Sequence, residues 1–136
     1  MNRPVCIIDD DEDVRGVMCF ALEFEGIDSL PFSSGLEAEA FLSQAAAEEL
    51  PCMIIVDYMM PDMNGIEFIT RIFEKYPDTL AKIPIALSTA RFSDETADLP
   101  EGALRLEKPV DLQTFISMAR QYSNLPLDKT NSSSAR

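Results

Sequence analysis

An open α/β sheet is expected from three observations. Short apolar runs recur along the 136-residue chain, and most are followed by a polar loop and then by apolar residues at helical spacing. Two of these runs, residues 5–8 and 53–56, lead directly into the carboxylates Asp9 and Asp57. Five such runs joined by amphipathic segments imply a mainly parallel sheet covered on both faces. A carboxylate at the carboxyl end of a buried strand lies where open α/β sheets place their ligands. An aspartate is also common wherever a strand simply stops, so Asp57 has to be weighed with its neighbours.

Composition narrows the possibilities. With 46% apolar residues the chain can bury one core, and a single domain is expected over residues 1–123, with a flexible polar tail over 124–136. The 24 acids against 11 bases give a formal charge of -13, a field that repels phosphate backbones and anionic membrane surfaces. Neither nucleic acid nor membrane is therefore an expected partner. Histidine is absent, and Cys6, Cys19 and Cys52 have no metal-type spacing, which leaves them as small packed thiols in a reducing cytoplasm.

The elements follow in order. Residues 5–8 form a strand that ends in Asp9, Asp10 and Asp11, and Glu12 or Asp13 opens a helix where acids complement the exposed amides. Its core face is expected at Val14, Val17, Met18, Ala21 and Phe24, and Gly26 stops it. Residues 27–32, interrupted by Pro31, suit an edge strand. Ser33 and Ser34 cap a second helix whose inner face is Ala38, Phe41, Leu42 and Ala45, with Glu37, Glu39, Glu48 and Glu49 toward water. After the strand ending at Asp57, a Pro/Asp/Asn/Gly turn containing Asp62 leads to a helix from Gly65 with Ile66, Ile69, Ile72, Phe73 and Tyr76 inward, ending before Pro77. Residues 83–87 and 103–106 supply the last strands. Between them the chain is charged and lacks an apolar stripe, so a fourth helix is short or irregular. A last helix turns Leu112, Phe115, Ile116 and Ala119 inward.

Right-handed crossovers bring the carboxyl ends of all five strands to one rim. That rim collects Asp9, Asp10, Asp57, Thr89 and Lys108. Carboxylates crowded there repel, and a hard divalent ion such as Mg2+, which takes oxygen ligands and few protein carboxylates, relieves them. Lys108 adds a point charge suited to phosphate oxygens, and Thr89 adds a hydroxyl. With no histidine or paired cysteine, the nucleophile left is a carboxylate, and carboxylates attack phosphorus to give aspartyl phosphates.

Asp9-Asp10, Asp57 with Met60-Pro61 and Gly65, Thr89-Ala90 and Lys108-Pro109 resemble, in order, the motifs of two-component response-regulator receiver domains, over about residues 4–123. The resemblance implies a doubly wound, five-stranded, flavodoxin-like sheet of order 2-1-3-4-5. It implies Asp57 as phosphoacceptor and Mg2+ held by Asp9, Asp10, Asp57 and the Met59 backbone carbonyl. Thr89 and Lys108 would contact the phosphoryl group, and the bond before Pro109 would be cis. Ser88 competes with Thr89 for the hydroxyl role, but Thr89 stands before Ala90 as in the family pattern. Asp11 is expected as a solvated loop acid. The implied partners are a sensor histidine kinase or histidine phosphotransfer protein and a downstream protein of unknown identity. The implied setting is a cytoplasmic, stand-alone regulator that catalyses only its own phosphorylation and dephosphorylation. Met59 and Arg91 occupy positions that tune hydrolysis in this family, and oligomeric state is not set by the sequence.

Arg105 departs from the pattern, since receivers carry an aromatic three positions before the lysine. Anchoring of Arg105 to Asp94, Asp98 or Glu101 is expected instead. Two other functions compete: a phosphorylation-independent interaction module, and a haloacid-dehalogenase-type phosphatase opening on Asp9-x-Asp11. The second needs a late acidic pair, and only Asp111 and Asp128 follow Lys108. A calcium loop over Asp9, Asp11 and Asp13 is discarded, because Val14 and Phe20 stand where glycine and glutamate are required.

Overall fold

The computed structural model describes residues 3–90, 92–93 and 96–123. Five strands, β1 (Val5–Ile8), β2 (Ser29–Phe32), β3 (Met53–Asp57), β4 (Ile85–Thr89) and β5 (Leu104–Glu107), form one sheet of order β2-β1-β3-β4-β5. Every pairing is parallel, and the central strands β1 and β3, rich in valine and isoleucine, are buried throughout, as in parallel sheets covered on both faces. The Pro31 strand takes the edge, where its missing N–H costs least.

Among the described residues four α-helices flank the sheet: α1 (Glu12–Phe24), α2 (Gly35–Leu42), α3 (Gly65–Lys75) and α4 (Leu112–Ser123). Side chains alternate across each strand. Cys6, Ile8, Ile54, Val56, Ile85 and Leu87 therefore face one core with Ala38 and Leu42 of α2 and Ile66, Phe68, Ile69 and Ile72 of α3. Val5, Ile7, Met53, Ile55, Ala86 and Leu106 face the other, with Met18 and Leu22 of α1 and Phe115 and Ala119 of α4. Between β4 and β5 no α-helix occurs among the described residues, consistent with the missing apolar stripe.

Local chemistry sets the helix starts. Ser34 caps α2 through Glu37 N–H, and Asn64 and Glu67 cap α3 reciprocally, each side chain accepting from the other's amide at 2.9 Å. Gly26 ends the first helical segment with a φ of +77°, a conformation other residues adopt reluctantly. Asp62, at φ 71°, is the turn former expected of it.

The structure corrects several expectations. Asp11, not Glu12 or Asp13, caps α1, accepting from the amides of Asp13 and Val14, while the other two acids sit in the first turn. Val17 and Phe24 are exposed, because the buried stripe of α1 runs through Met18 and Leu22 and each step along a helix rotates by about 100°. Phe41 and Leu112 are likewise at the surface, and Phe41 packs its ring 5.7 Å from that of Phe32.

Glu39 is buried rather than wet. Arg71 Nε donates to its carboxylate at 2.6 Å, the Tyr76 hydroxyl at 2.7 Å, and Lys75 Nζ lies 3.4 Å away, so α3 supplies the charge and donors that burial demands. Arg105 is exposed and lays its guanidinium 5.0 Å from the Phe92 ring centroid. Among the described residues no ion pair joins it to Asp98 or Glu101. A stacked guanidinium keeps its hydration on the free side and needs no acid. Arg91, Asp94 and the tail over 124–136 lie outside the described residues.

Candidate functional site

The parallel sheet brings the predicted set to one rim. Asp9 follows β1 directly and is buried, Asp57 ends β3 and is buried, and Asp10 is exposed at the mouth. One oxygen from each of these three carboxylates falls within 4.8 Å of the others. Lys108, just past β5, reaches inward: its Nζ stands 2.8 Å from Asp57 Oδ1 and 3.1 Å from Asp9 Oδ2. Thr89 is buried at the end of β4, and its carbonyl accepts the Lys108 N–H at 2.7 Å. The Lys108–Pro109 bond is cis.

Backbone packing fixes these positions. The Tyr58 N–H donates to Ser88 O at 2.8 Å, and the Gly65 N–H returns to Tyr58 O at 2.9 Å, so the loop after Asp57 is tied to β4 and to the start of α3. Gly65 lies so close to this corner that a Cβ would stand 2.6 Å from the Asp57 carbonyl oxygen and 2.5 Å from Leu87 Cδ1. Asp9 is held by the Asp11 amide, which donates to its Oδ1 at 2.9 Å. Its carbonyl accepts from Arg15 Nη1 at 2.7 Å.

Sequence reasoning missed Arg15. Its signal was faint: a base one turn into a helix whose first turn is otherwise acidic. Ser88 is buried in register with Asp57, and its Oγ has no hydrogen-bond partner among the described residues. Met59 is largely exposed in the loop that leaves β3.

Electrostatics show a site short of positive charge. Burial raises the Asp57 carboxyl above its ordinary value, and the charges of Asp9 and Asp10 push the same way against the opposing pull of Lys108. Burial pulls the Lys108 ammonium down, but the Asp57 and Asp9 carboxylates outweigh it and leave it above its ordinary value. Three oxygen donors within one small space, with no sulfur or imidazole, suit a hard divalent ion such as Mg2+.

A stability prediction follows from the sign of the Asp57 shift. A carboxyl raised by folding binds more protons in the native state than in the unfolded one, so stability falls as pH rises through that window. At neutral pH without divalent cations, Asp57→Asn is expected to raise Tm by a few degrees in thermal denaturation. A lower Tm for the variant contradicts this.

Elsewhere, Cys6 and Cys52 are buried free thiols, and burial pushes the latter up to about 11, well away from reactive thiolates. No helix among the described residues is long and apolar enough to cross a membrane.

Comparison with known proteins agrees with this geometry. The family model described as the response regulator receiver domain matches residues 5–120. An uncharacterized 14.6 kDa protein of Leptolyngbya boryana is 35% identical over 120 residues, which cover 87% of this chain and 88% of that protein. The phosphate regulon transcriptional regulatory protein PhoB of Rhizobium meliloti is 33% identical over 105 residues, 76% of this chain but only 44% of that longer protein. Among solved structures, the receiver domain of the Francisella response regulator 1452 superposes with a TM-score of 0.75 at 25% identity, covering 90% of this chain and 98% of that one. A CheY-like receiver domain protein of Methanospirillum hungatei shares the fold with a TM-score of 0.77 at 22% identity, over 98% of this chain and 99% of that one. The chain belongs to the response regulator receiver domain family.

Proposed function

We propose that the protein accepts a phosphoryl group on Asp57 from a phosphohistidine of a sensor kinase or histidine phosphotransfer protein, and signals by binding another protein. The observation that carries this reading is the Lys108 ammonium spanning Asp9 and Asp57 beside a three-carboxylate cluster. Phosphoryl transfer asks a protein mainly for positioning and charge neutralisation. An Asp57 oxygen forms the new bond to phosphorus while the P–N bond of the donor, or the P–O bond of acetyl phosphate, breaks and its electron pair leaves with the donor.

Asp9, Asp10, Asp57 and the Met59 carbonyl would hold Mg2+, which supplies charge neutralisation for the transferring oxygens. Lys108 draws one Asp57 oxygen into a fixed orientation and then meets a phosphoryl oxygen. Thr89 donates its hydroxyl to the same group, and its movement carries the change outward along β4. Arg105 stacked on Phe92 occupies the place of the family's rotating aromatic, so the output route runs through the loop between β4 and β5 rather than through ring rotation.

The phosphorylated state adds roughly one negative charge and three strong acceptors to the rim, a differential contact that selects one of two conformations. The setting of such an exchange is the cytoplasm, where phosphodonors and their protein partners meet. Incubation with acetyl phosphate and Mg2+ followed by intact-mass measurement tests the reading. Wild type is expected to gain one phosphoryl mass, Asp57→Asn none, and Lys108→Ala markedly less at equal times. Absence of any gain in the wild type overturns it and leaves a phosphorylation-independent interaction module.

A further inference from the structure

Among the described residues, the hydroxyl of Ser88 is the buried polar side-chain atom left without a hydrogen-bond partner. Its surroundings follow from strand parity. Residues 55, 86 and 106 face the same core, and side chains two positions further along a strand return to the same face. Asp57, Ser88 and Lys108 therefore share that face at the rim.

Register places Asp57 beside Ser88, whose partner on β5 is Leu106, two residues before Lys108. Since β4 lies between β3 and β5, the Lys108 arm crosses two strand spacings, roughly 10 Å, to reach Asp57. It starts one step beyond Ser88, where its amide meets the Thr89 carbonyl, and reaches back across the end of β4 toward the Asp57 and Ser88 pair. A small side chain is needed beneath it, but alanine would serve as well. The hydroxyl is left unexplained, and it is 3% exposed with no partner.

Buried polar atoms are almost always satisfied, and an exception calls for a cause. Here the cause lies in the state of Asp57. In the unphosphorylated protein Lys108 already holds Asp57 Oδ1. Once an Asp57 oxygen is bonded to phosphorus, negative charge moves out to the phosphoryl oxygens and the ammonium follows it. The remaining carboxyl oxygen, the one that would face Mg2+, keeps a second lone pair that has lost its former donor. Ser88, on the neighbouring strand and the same face, is the donor placed to replace the ammonium.

We propose that Ser88 is a state-dependent positioning residue, idle in the unphosphorylated protein and donating to the carboxyl oxygen of Asp57 that Lys108 vacates. This rests on Asp57 being the phosphoacceptor. It makes Ser88 a second hydroxyl beside Thr89, with a different target: the acyl oxygen rather than the phosphoryl group.

Beryllium fluoride with Mg2+, a non-hydrolysing mimic that bonds to an aspartate oxygen, tests the idea without turnover. Affinity is read from titrations followed by thermal denaturation, and the unloaded Tm is measured in EDTA. Ser88→Ala is expected to weaken the apparent Kd about fivefold, the size of one net hydrogen bond, while leaving the unloaded Tm equal to or above wild type. Ser88→Cys, a near isostere with a weak donor, should fall between them. An unchanged Kd overturns the proposal, and so does a fall in unloaded Tm as large as that of the loaded protein, which marks a packing role. If wild type itself neither binds the mimic nor gains a phosphoryl mass, the phosphoacceptor reading fails and Ser88 with it. Wild-type binding with an unaffected Ser88→Ala fails Ser88 alone.

Discussion

Gly65→Ala is expected to lower Tm by roughly 10 °C and to slow phosphorylation of Asp57 in the same protein. The added Cβ would stand 2.6 Å from the Asp57 carbonyl oxygen, a backbone atom that cannot rotate away, and 2.5 Å from Leu87 Cδ1. Both distances are well inside contact. Relief requires the start of α3 to move away from β3, which stretches the 2.9 Å bond from the Gly65 amide to Tyr58 O. Overpacking of this kind costs about 3 kcal/mol, and for a chain of this length each kilocalorie shifts Tm by about 3–4 °C. The effect on phosphorylation has the same origin, because the carbonyl that must yield belongs to Asp57, the residue proposed to accept the phosphoryl group. Thermal denaturation together with the acetyl phosphate time course checks both. A variant with wild-type Tm and wild-type phosphorylation would show that the corner has slack the distances exclude.

Glu39→Ala is expected to destabilise the protein by about 2 kcal/mol at neutral pH, and the deficit should shrink toward acid. Glu39 is buried, whereas Arg71 and Lys75 are about half exposed, so solvent screens their attraction and the effect falls below that of a fully buried pair. What remains is the orphaning of the Tyr76 hydroxyl and Arg71 Nε, both bonded to the carboxylate. Burial opposes the charge of Glu39, but Tyr76, Arg71 and Lys75 prevail and hold its carboxyl below the ordinary 4.5. In the window between the folded and unfolded values the native state therefore binds fewer protons, and stability is lost as pH falls through it. Denaturant melts of wild type and variant at neutral pH and at mildly acid pH should converge at the lower value. A pH-independent gap would assign the loss to packing instead.

Both predictions concern positions that the sequence displays without marking. Gly65 is legible as a helix start, and its contact with the Asp57 carbonyl arises only when β3 and α3 are brought together. Glu39 lies in a helix whose other glutamate, Glu37, faces water, and linear periodicity cannot report that α3 presents a base, a second base and a phenol to Glu39. Arg105 shows the same limit. Its charge was expected to seek an acid; the described candidates, Asp98 and Glu101, form no ion pair with it, and its guanidinium lies over Phe92, a residue with no place in the acidic pattern of that loop. The exposed Val17 and Phe24 follow from the same cause: periodicity finds an apolar stripe, but which edge of it is covered depends on where α4 sits.

The rim and the grouping of Asp9, Asp10, Asp57 and Lys108 were legible for a different reason, whereas the strand order came from the family resemblance. Strand-terminal carboxylates, small hydroxyls and a lysine before proline are local signatures. Right-handed crossovers leave a parallel sheet one way to collect them. By itself, then, the sequence determined which residues meet at the carboxyl edge, because chirality and hydrophobic alternation act locally and uniformly along the chain. Tertiary packing alone decided which polar atoms end up satisfied. Asp9 gained Arg15 and the Asp11 amide, Glu39 gained three donors, and Ser88 gained none among the described residues, since hydrogen-bond partners are chosen by distances between elements that no spacing along the chain encodes.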